Sequence, residues 1–223
     1  MLKYLSYPLD IHSPRPPAIP AAALEEFLEI AKDGASVQRL CVYSHTGTHL
    51  DTSAHVLEDG IHITGFLPEE LVFGKVGLVE MALPDNHVIE PRDLEKYEDT
   101  LAESDFVIFA FGLFDIRANE PGRYVNCSPG FSVEAGRYIA GHKNIRGMGL
   151  DSPSVASICK IGETMKVHNE LLKSNGGKFL IIEEMKLEKG EKAPQRLSVA
   201  PWLVCGMHSG PCAVLGEYMT NDE

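Results

Sequence analysis

The sequence predicts a single α/β domain spanning residues 1–223. Two observations carry this expectation. Short runs of β-branched and apolar residues alternate with stretches of helical periodicity or helix-capping residues, as in domains that interleave strands and helices around one sheet. No composition break, internal repeat or low-complexity tract divides the chain, and a chain of this length holds one substantial core. The helical stretches are too irregular in length for a regular eight-fold barrel.

In chain order, Leu2 to Leu9 reads as a short strand ended by Pro8, and Pro14, Pro16, Pro17 and Pro20 make an extended connection. Leu24, Phe27, Leu28 and Ala31 recur at i, i+3, i+4 and i+7, which predicts an amphipathic helix over 21–32 stopped by Asp33-Gly34. Val37 to Tyr43 and Lys75 to Leu83 are strand candidates, and Pro91 opens a short helix from its first turn. Asp105 to Gly112 is nearly all apolar, as in a strand buried on both faces. Ser132 is the expected N-cap of a helix running to about His142, with Glu134 in its first turn. Gly147 to Asp151 is a strand and Met165 to Lys173 a helix ended near Asn175-Gly176-Gly177. Phe179 to Ile182, Arg196 to Val204 and Pro211 to Leu215 are the remaining strands, and the charged run Lys186 to Lys192 is a solvated loop.

Composition narrows the function. A formal charge of −12 leaves no basic patch to neutralise phosphates, which argues against nucleic acid or an anionic membrane as partner. No apolar run is long enough for a signal peptide or a membrane span. The five cysteines (41, 127, 159, 205 and 212) are odd in number, scattered and without a C-x-x-C pair, which fits reduced thiols in a cytoplasmic protein. Cys41, just before the histidine motif, is expected to be a buried, inert thiol, with metal ligation as the other possibility.

The chemistry concentrates between Ser44 and Val56, SHTGTHLDTSAHV, where three of the nine histidines fall with an aspartate among them. His45, His49, Asp51 and His55 follow the pattern H-x3-H-x-D-x3-H. Imidazole nitrogens and a carboxylate oxygen suit zinc, manganese or iron. His45 and His49 share a face whether the backbone is helical or extended. Gly47 permits close backbone approach, and the Thr48 hydroxyl is available to orient a ligand. The alternative, a polar loop that binds nothing, is outweighed by the number of donors in so short a stretch. His12, His62, His87, His142 and His208 are each isolated and read as surface or loop residues, and His208 to Cys212 reads as a turn. Gly147-Met148-Gly149 has no third glycine and gives no dinucleotide signal. Asp151 is either a helix cap for Ser152-Pro153 or a carboxylate supporting the metal ligands.

The stretch HTGTHLD followed by His55 resembles the H-x-G-T-H-x-D-x-P-x-H signature of the cyclase family of metal-dependent hydrolases, which includes bacterial kynurenine formamidase and isatin hydrolase. Ser53 stands where the family pattern has proline. The resemblance covers most of the chain: LSYPL near the start, DFVIFAFGLF with Leu113 in place of a tryptophan, PGFSVEAGRYI, GMGLDSPSV, His168 to Leu172, and Ile181-Ile182-Glu183. It implies the swivelling β/β/α fold of that family, with a mixed sheet, and a homodimer. It also implies that His168 and Glu183 complete a metal site with His45, His49 and Asp51, holding one or two divalent ions, zinc or manganese. Glu184 is the rival to Glu183, and only one of two consecutive strand residues can face the site. His55, beyond the ligands, matches the family's acid–base histidine.

The function expected is therefore hydrolysis of a small amide, an aryl formamide or a cyclic amide, by metal-activated water with His55 moving protons. The alternatives are a catalytically inactive metal-binding or regulatory protein of the same fold, or a metal-dependent lyase or cyclase. Turnover on a panel of amides separates the first from the other two.

Overall fold

The computed structural model describes residues 1–16, 18–157 and 162–219. Pro17 of the proline-rich connection and Cys159 lie outside the described residues. The strands are β1 (Leu2–Tyr4), β2 (Ala23–Leu28), β3 (Val37–Cys41), β4 (His49–Asp51), β5 (Val72–Phe73), β6 (Val76–Glu80), β7 (Val88–Ile89), β8 (Phe106–Ala110), β9 (Gly130–Phe131), β10 (Gly147–Leu150), β11 (Leu180–Glu183), β12 (Arg196–Pro201) and β13 (Ser209–Glu217). The α-helices used below are α1 (Ile30–Asp33), α2 (Pro91–Leu94), α3 (Glu98–Glu103), α4 (Phe114–Asn119), α5 (Pro121–Cys127), α6 (Val133–Gly141) and α7 (Thr164–Leu172).

One mixed sheet organises the chain, in the order β5-β12-β13-β4-β11-β10-β8-β6, with β1 also on β13. The strands β11, β10, β8 and β6 run parallel, whereas β4 is antiparallel to both of its neighbours, β11 and β13. Both faces are buried, and the two-residue period of the strands divides their side chains between two cores. Val107, Phe109, Met148, Leu150 and Ile181 enter one core, shared with Ile139 of α6 and Val167 and Leu171 of α7. Phe106, Ile108, Leu180, Ile182 and Leu50 enter the other, with Leu5, Phe73, Leu197 and Val214. The apolar run at 105–112 is thus buried on both sides, as its composition predicts. Ser132 caps α6, its hydroxyl accepting from Ala135 N–H, and the strand at 147–150 and the helix at 164–172 also lie where expected. Among the described residues no helix is long and apolar enough to cross a membrane.

Residues 21–32 do not form the expected helix. Residues 23–28 are β2, paired antiparallel with β3, and only 30–33 are helical. Leu24 faces Leu40, Leu28 faces Val37, Glu25 pairs with Arg39, and Gln38 donates to Glu26. A register irregularity between Glu26 and Leu28 falls at Phe27. The helical spacing of four apolar residues is equally compatible with a bulged strand, and a cross-strand partner nearby in sequence decides between them. This hairpin stands apart from the main sheet. Leu24, Phe27, Ile30, Val37 and Leu40 are all exposed, Phe27 at 73%. Cys41, expected to be buried, is on the same hairpin and exposed.

Candidate metal centre

Three residues of β4 set the site. Leu50 points into one core, so alternation sends His49 and Asp51 to the opposite face. On β11 the same alternation sends Glu183 to the face of Ile181, and the sheet register pairs Glu183 with His49. His168 reaches the same point from α7. The five residues expected to ligate metal come together: His45 Nδ1 lies 3.1 Å from His49 Nε2 and 3.3 Å from Asp51 Oδ1. Glu183 lies between two rings, with Oε2 3.2 Å from His49 Nε2 and Oε1 3.1 Å from His168 Nε2, while His168 Nε2 is 3.7 Å from Asp51 Oδ2. Of the two candidate glutamates, Glu183 faces this cluster, and Glu184 turns away to Arg117.

The donor atoms fit a divalent cation. Asp51 is fully buried, and neither carboxylate oxygen has a hydrogen-bond donor, a costly state for a charged group unless a cation completes it. The ring tautomers also suit ligation. A carbonyl oxygen only accepts, so Nδ1 of His49, 2.8 Å from Gly47 O, carries a proton, as does Nδ1 of His168, 2.8 Å from Thr164 O. Both rings therefore turn Nε2 toward the carboxylates, in the arrangement common to metal-bound histidines. Gly47 has φ +65, and this left-handed turn places its carbonyl under the His49 ring. The Thr48 hydroxyl, expected to orient a ligand, instead donates to Glu184 O at 2.6 Å.

Without a cation the cluster is held by protons. Burial works against charging His49 and His168, but their hydrogen bonds to Glu183 and the nearby Asp51 outweigh it, raising each pKa to about 9. Burial alone would raise the Glu183 carboxyl; the two rings hold it well below the usual carboxylate range. His45 goes the other way: burial lowers its pKa to about 4 despite Asp51. His55 is also lowered by burial, so it is neutral near pH 7.

His55 sits on a short 3-10 turn (Ser53–His55) at the edge of the cluster, its ring centroid 4.6 Å from that of His45 and 5.6 Å from that of His168. It also lines a cleft of about 540 Å3 together with the apolar Val56, Val133 and Met165 and the polar Arg137, Lys166, Asn169 and Glu170, of which Arg137 pairs with Glu170. Ser53 is buried and accepts from Ile61 N–H, pinning the turn that carries His55. Gly60 packs against that turn, where a Cβ would lie 2.3 Å from the Ser53 and Ala54 backbone. Leu113 is buried in the core.

His208 belongs to the site, contrary to its reading as an isolated loop residue. Its ring stacks on His55 at 5.4 Å, and nitrogens of His45, His55 and His208 lie within 4.8 Å of one another. It is placed by β13, whose first residue, Ser209, pairs with Asp51, and by its own carbonyl, which accepts from the Thr52 N–H and hydroxyl. Residues 209–217 are a strand, which contains the strand expected at 211–215 and replaces the turn expected at 208–212 from Ser209 onward. Asp151 does not cap Ser152-Pro153. Its carboxylate accepts from Phe111 N–H and Leu113 N–H at 2.8 and 2.9 Å, fixing the chain where β8 leads into α4. His12 and His62 are exposed, whereas His87 pairs with Asp93 and His142 with Glu98, all away from the centre.

Known proteins share this fold. The chain superposes on isatin hydrolase A from Labrenzia aggregata, bound to benzyl benzoate, with a TM-score of 0.84 at 19% identity, over 99% of this chain and 94% of that one. Isatin hydrolase A from Ralstonia solanacearum gives 0.80 at 18% identity over 96% and 90%. A protein of Bacillus stearothermophilus described as a predicted metal-dependent hydrolase gives 0.75 at 22% over 97% of each. These likenesses establish the fold. In sequence, an uncharacterized protein of Haemophilus influenzae is 31% identical over 111 residues, 49% of this chain and 78% of the relative. The family model described as Putative cyclase matches residues 4–157, more than half of the chain. The chain belongs to the cyclase family.

Proposed function

We propose that this protein is a metal-dependent hydrolase of a small amide, an aryl formamide or a cyclic amide. The observation that carries the reading is the buried Asp51 carboxylate without a donor, ringed by His45, His49 and His168 and facing Glu183. His45, His49 and Asp51 would hold one divalent ion, zinc or manganese by the nitrogen–oxygen donor set, and His168 and Glu183 would complete the site for that ion or a second. A metal bound there lowers the pKa of water from 15.7 to about 7 and polarises a carbonyl as a Lewis acid.

The remaining steps fall to the chain. His55, neutral through burial and placed between cluster and cleft, accepts a proton at an imidazole nitrogen and returns it to the departing nitrogen. His208, stacked on His55, holds that ring in place. Val56, Val133 and Met165 offer an apolar wall on which a flat substrate lies, while Arg137, Lys166 and Asn169 meet its polar end. The names of the isatin hydrolase structures favour a cyclic amide within this class.

The same reading includes a cytoplasmic homodimer. Cys41, Cys127, Cys205 and Cys212 are free thiols, and the exposed apolar hairpin β2–β3 supports association with a second copy, to be measured as mass in solution by light scattering. The decisive test is steady-state kinetics of the metal-loaded protein on isatin, N-formylkynurenine and related amides. A kcat/KM of about 10⁴–10⁸ M⁻¹s⁻¹ on one of them supports the proposal. Full metal occupancy with no turnover on any amide refutes it.

A further inference from the structure

Glu184 follows Glu183 directly, yet takes a different course. Its φ is +58, a strained left-handed conformation for a non-glycine residue that persists only where the surroundings enforce it. Its N–H donates to Ser152 O at 2.9 Å, and its carbonyl accepts from the Thr48 hydroxyl at 2.6 Å. Its buried carboxylate accepts, at one oxygen, from Arg117 Nε at 2.9 Å and Nη2 at 2.5 Å. The Arg117 guanidinium carbon lies over the Tyr7 ring, 3.7 Å from its centroid. Tyr7 N–H donates to Thr48 Oγ1 at 3.0 Å. The contacts close on themselves: Glu184, Arg117, Tyr7, Thr48, Glu184.

We propose that this loop is a positioning device for the metal centre, and that Arg117, Glu184 and Thr48 are positioning residues. The proposal rests on the metal reading given above. Thr48 immediately precedes His49 and Glu184 immediately follows Glu183, while His49 and Glu183 are register partners across β4 and β11. The loop thus ties the two strands together one residue beyond the pair that faces the cation. Because β4 has only three residues, its own ladder does little to hold that spacing. The left-handed turn at Glu184 also separates two adjacent carboxylates, sending one to the cation and the other to Arg117.

Stability alone does not account for the arrangement. A buried ion pair is often no better than apolar packing, and here it is combined with a strained backbone. Lysine could not replace Arg117, since only a guanidinium stacks on Tyr7 while sending two N–H groups to one oxygen.

Cobalt(II) is the probe. Its affinity is measured by chelator competition and its geometry by visible absorption, alongside melting of the metal-free protein to report folding. In Arg117→Met/Glu184→Gln both charges leave together, so no orphaned charge remains. That variant and Thr48→Val are expected to bind cobalt about 10- to 100-fold more weakly, with a changed absorption band, and Thr48→Ser to bind within about twofold of the unsubstituted protein. A folded double variant with unchanged affinity and spectrum overturns the proposal. If the double variant does not fold, the Thr48 pair decides: equal cobalt binding by Thr48→Val and Thr48→Ser overturns it. No cobalt uptake by the unsubstituted protein overturns the metal reading itself, and the positioning role with it.

Discussion

Metal binding is expected to expel protons, in a number readable from the site. His49 and His168 each rise from 6.5 to about 9 in the metal-free protein, because Nε2 of each ring donates to Glu183. At pH 7 both rings are then almost wholly protonated, and a cation can take Nε2 only after that proton leaves. Full loading at pH 7 should release about two protons from the rings, beside about half a proton from metal-bound water, and the rings' share falls toward none above pH 10; His45, lowered to about 4, contributes none. The same shifts fix the sign of stability against pH. A group whose folded pKa is raised adds stability that is fully present below its unfolded pKa of 6.5 and is lost as pH rises through about 9. At about 1.36 kcal/mol per pKa unit each ring contributes on the order of 3 kcal/mol. The two rings share one carboxylate, so their contributions do not simply add. The metal-free protein should therefore lose at least about 3 kcal/mol, or roughly 6–12 °C in Tm, between pH 6.5 and 9.5. Titration calorimetry with zinc in buffers of different ionisation heat counts the protons, and scanning calorimetry of the metal-free protein follows the melt. Release of no more than about half a proton at pH 7, with a metal-free Tm that holds steady across that range, would refute the reasoning.

Other substitutions separate the roles at the centre. His49→Ala should lose most bound metal by elemental analysis, and unchanged occupancy would remove it from the ligand set. His55→Ala should keep its metal while kcat falls about 10²- to 10⁴-fold; loss of metal in proportion to activity would make His55 a ligand. Glu183→Gln should lower metal content and, by removing the negative charge and one of the two oxygens that the rings face, cut proton release at pH 7; an unchanged proton count would show that another group raises those rings. Gly60→Ala should force apart the turn carrying His55, at a cost of about 1–3 kcal/mol seen as a lower melting temperature with metal stoichiometry kept.

How much of this was legible beforehand follows from sequence distance. His45, His49, Asp51 and His55 stand within eleven residues, and their spacing alone suggests a shared cation. His168 and Glu183 carry no such local signal and were reachable only through resemblance to a family. His208 had neither: its place comes from the pairing of Ser209 with Asp51, a long-range register that a lone histidine in HSGPC does not announce. Asp151 fails for the same reason, since the N–H groups it accepts from are about forty residues earlier. The error at 21–32 is of another kind. Four apolar residues at helical spacing fit a bulged strand as well, and the pairing with β3 is what the period leaves out.

The placement of β4 bears on how the protein is made. Both of its sheet neighbours come from the last quarter of the chain, and the bonds that frame it, Thr48 to Glu184 and Thr52 to His208, span 136 and 156 positions. A growing chain therefore emerges from the ribosome with the histidine motif complete but no strand to receive it. Contacts of such separation form late, after the ordering cost of the intervening chain has been met. The cation site is consequently assembled only after β11 and β13 have been made, and metal uptake marks a chain that has folded through to β13.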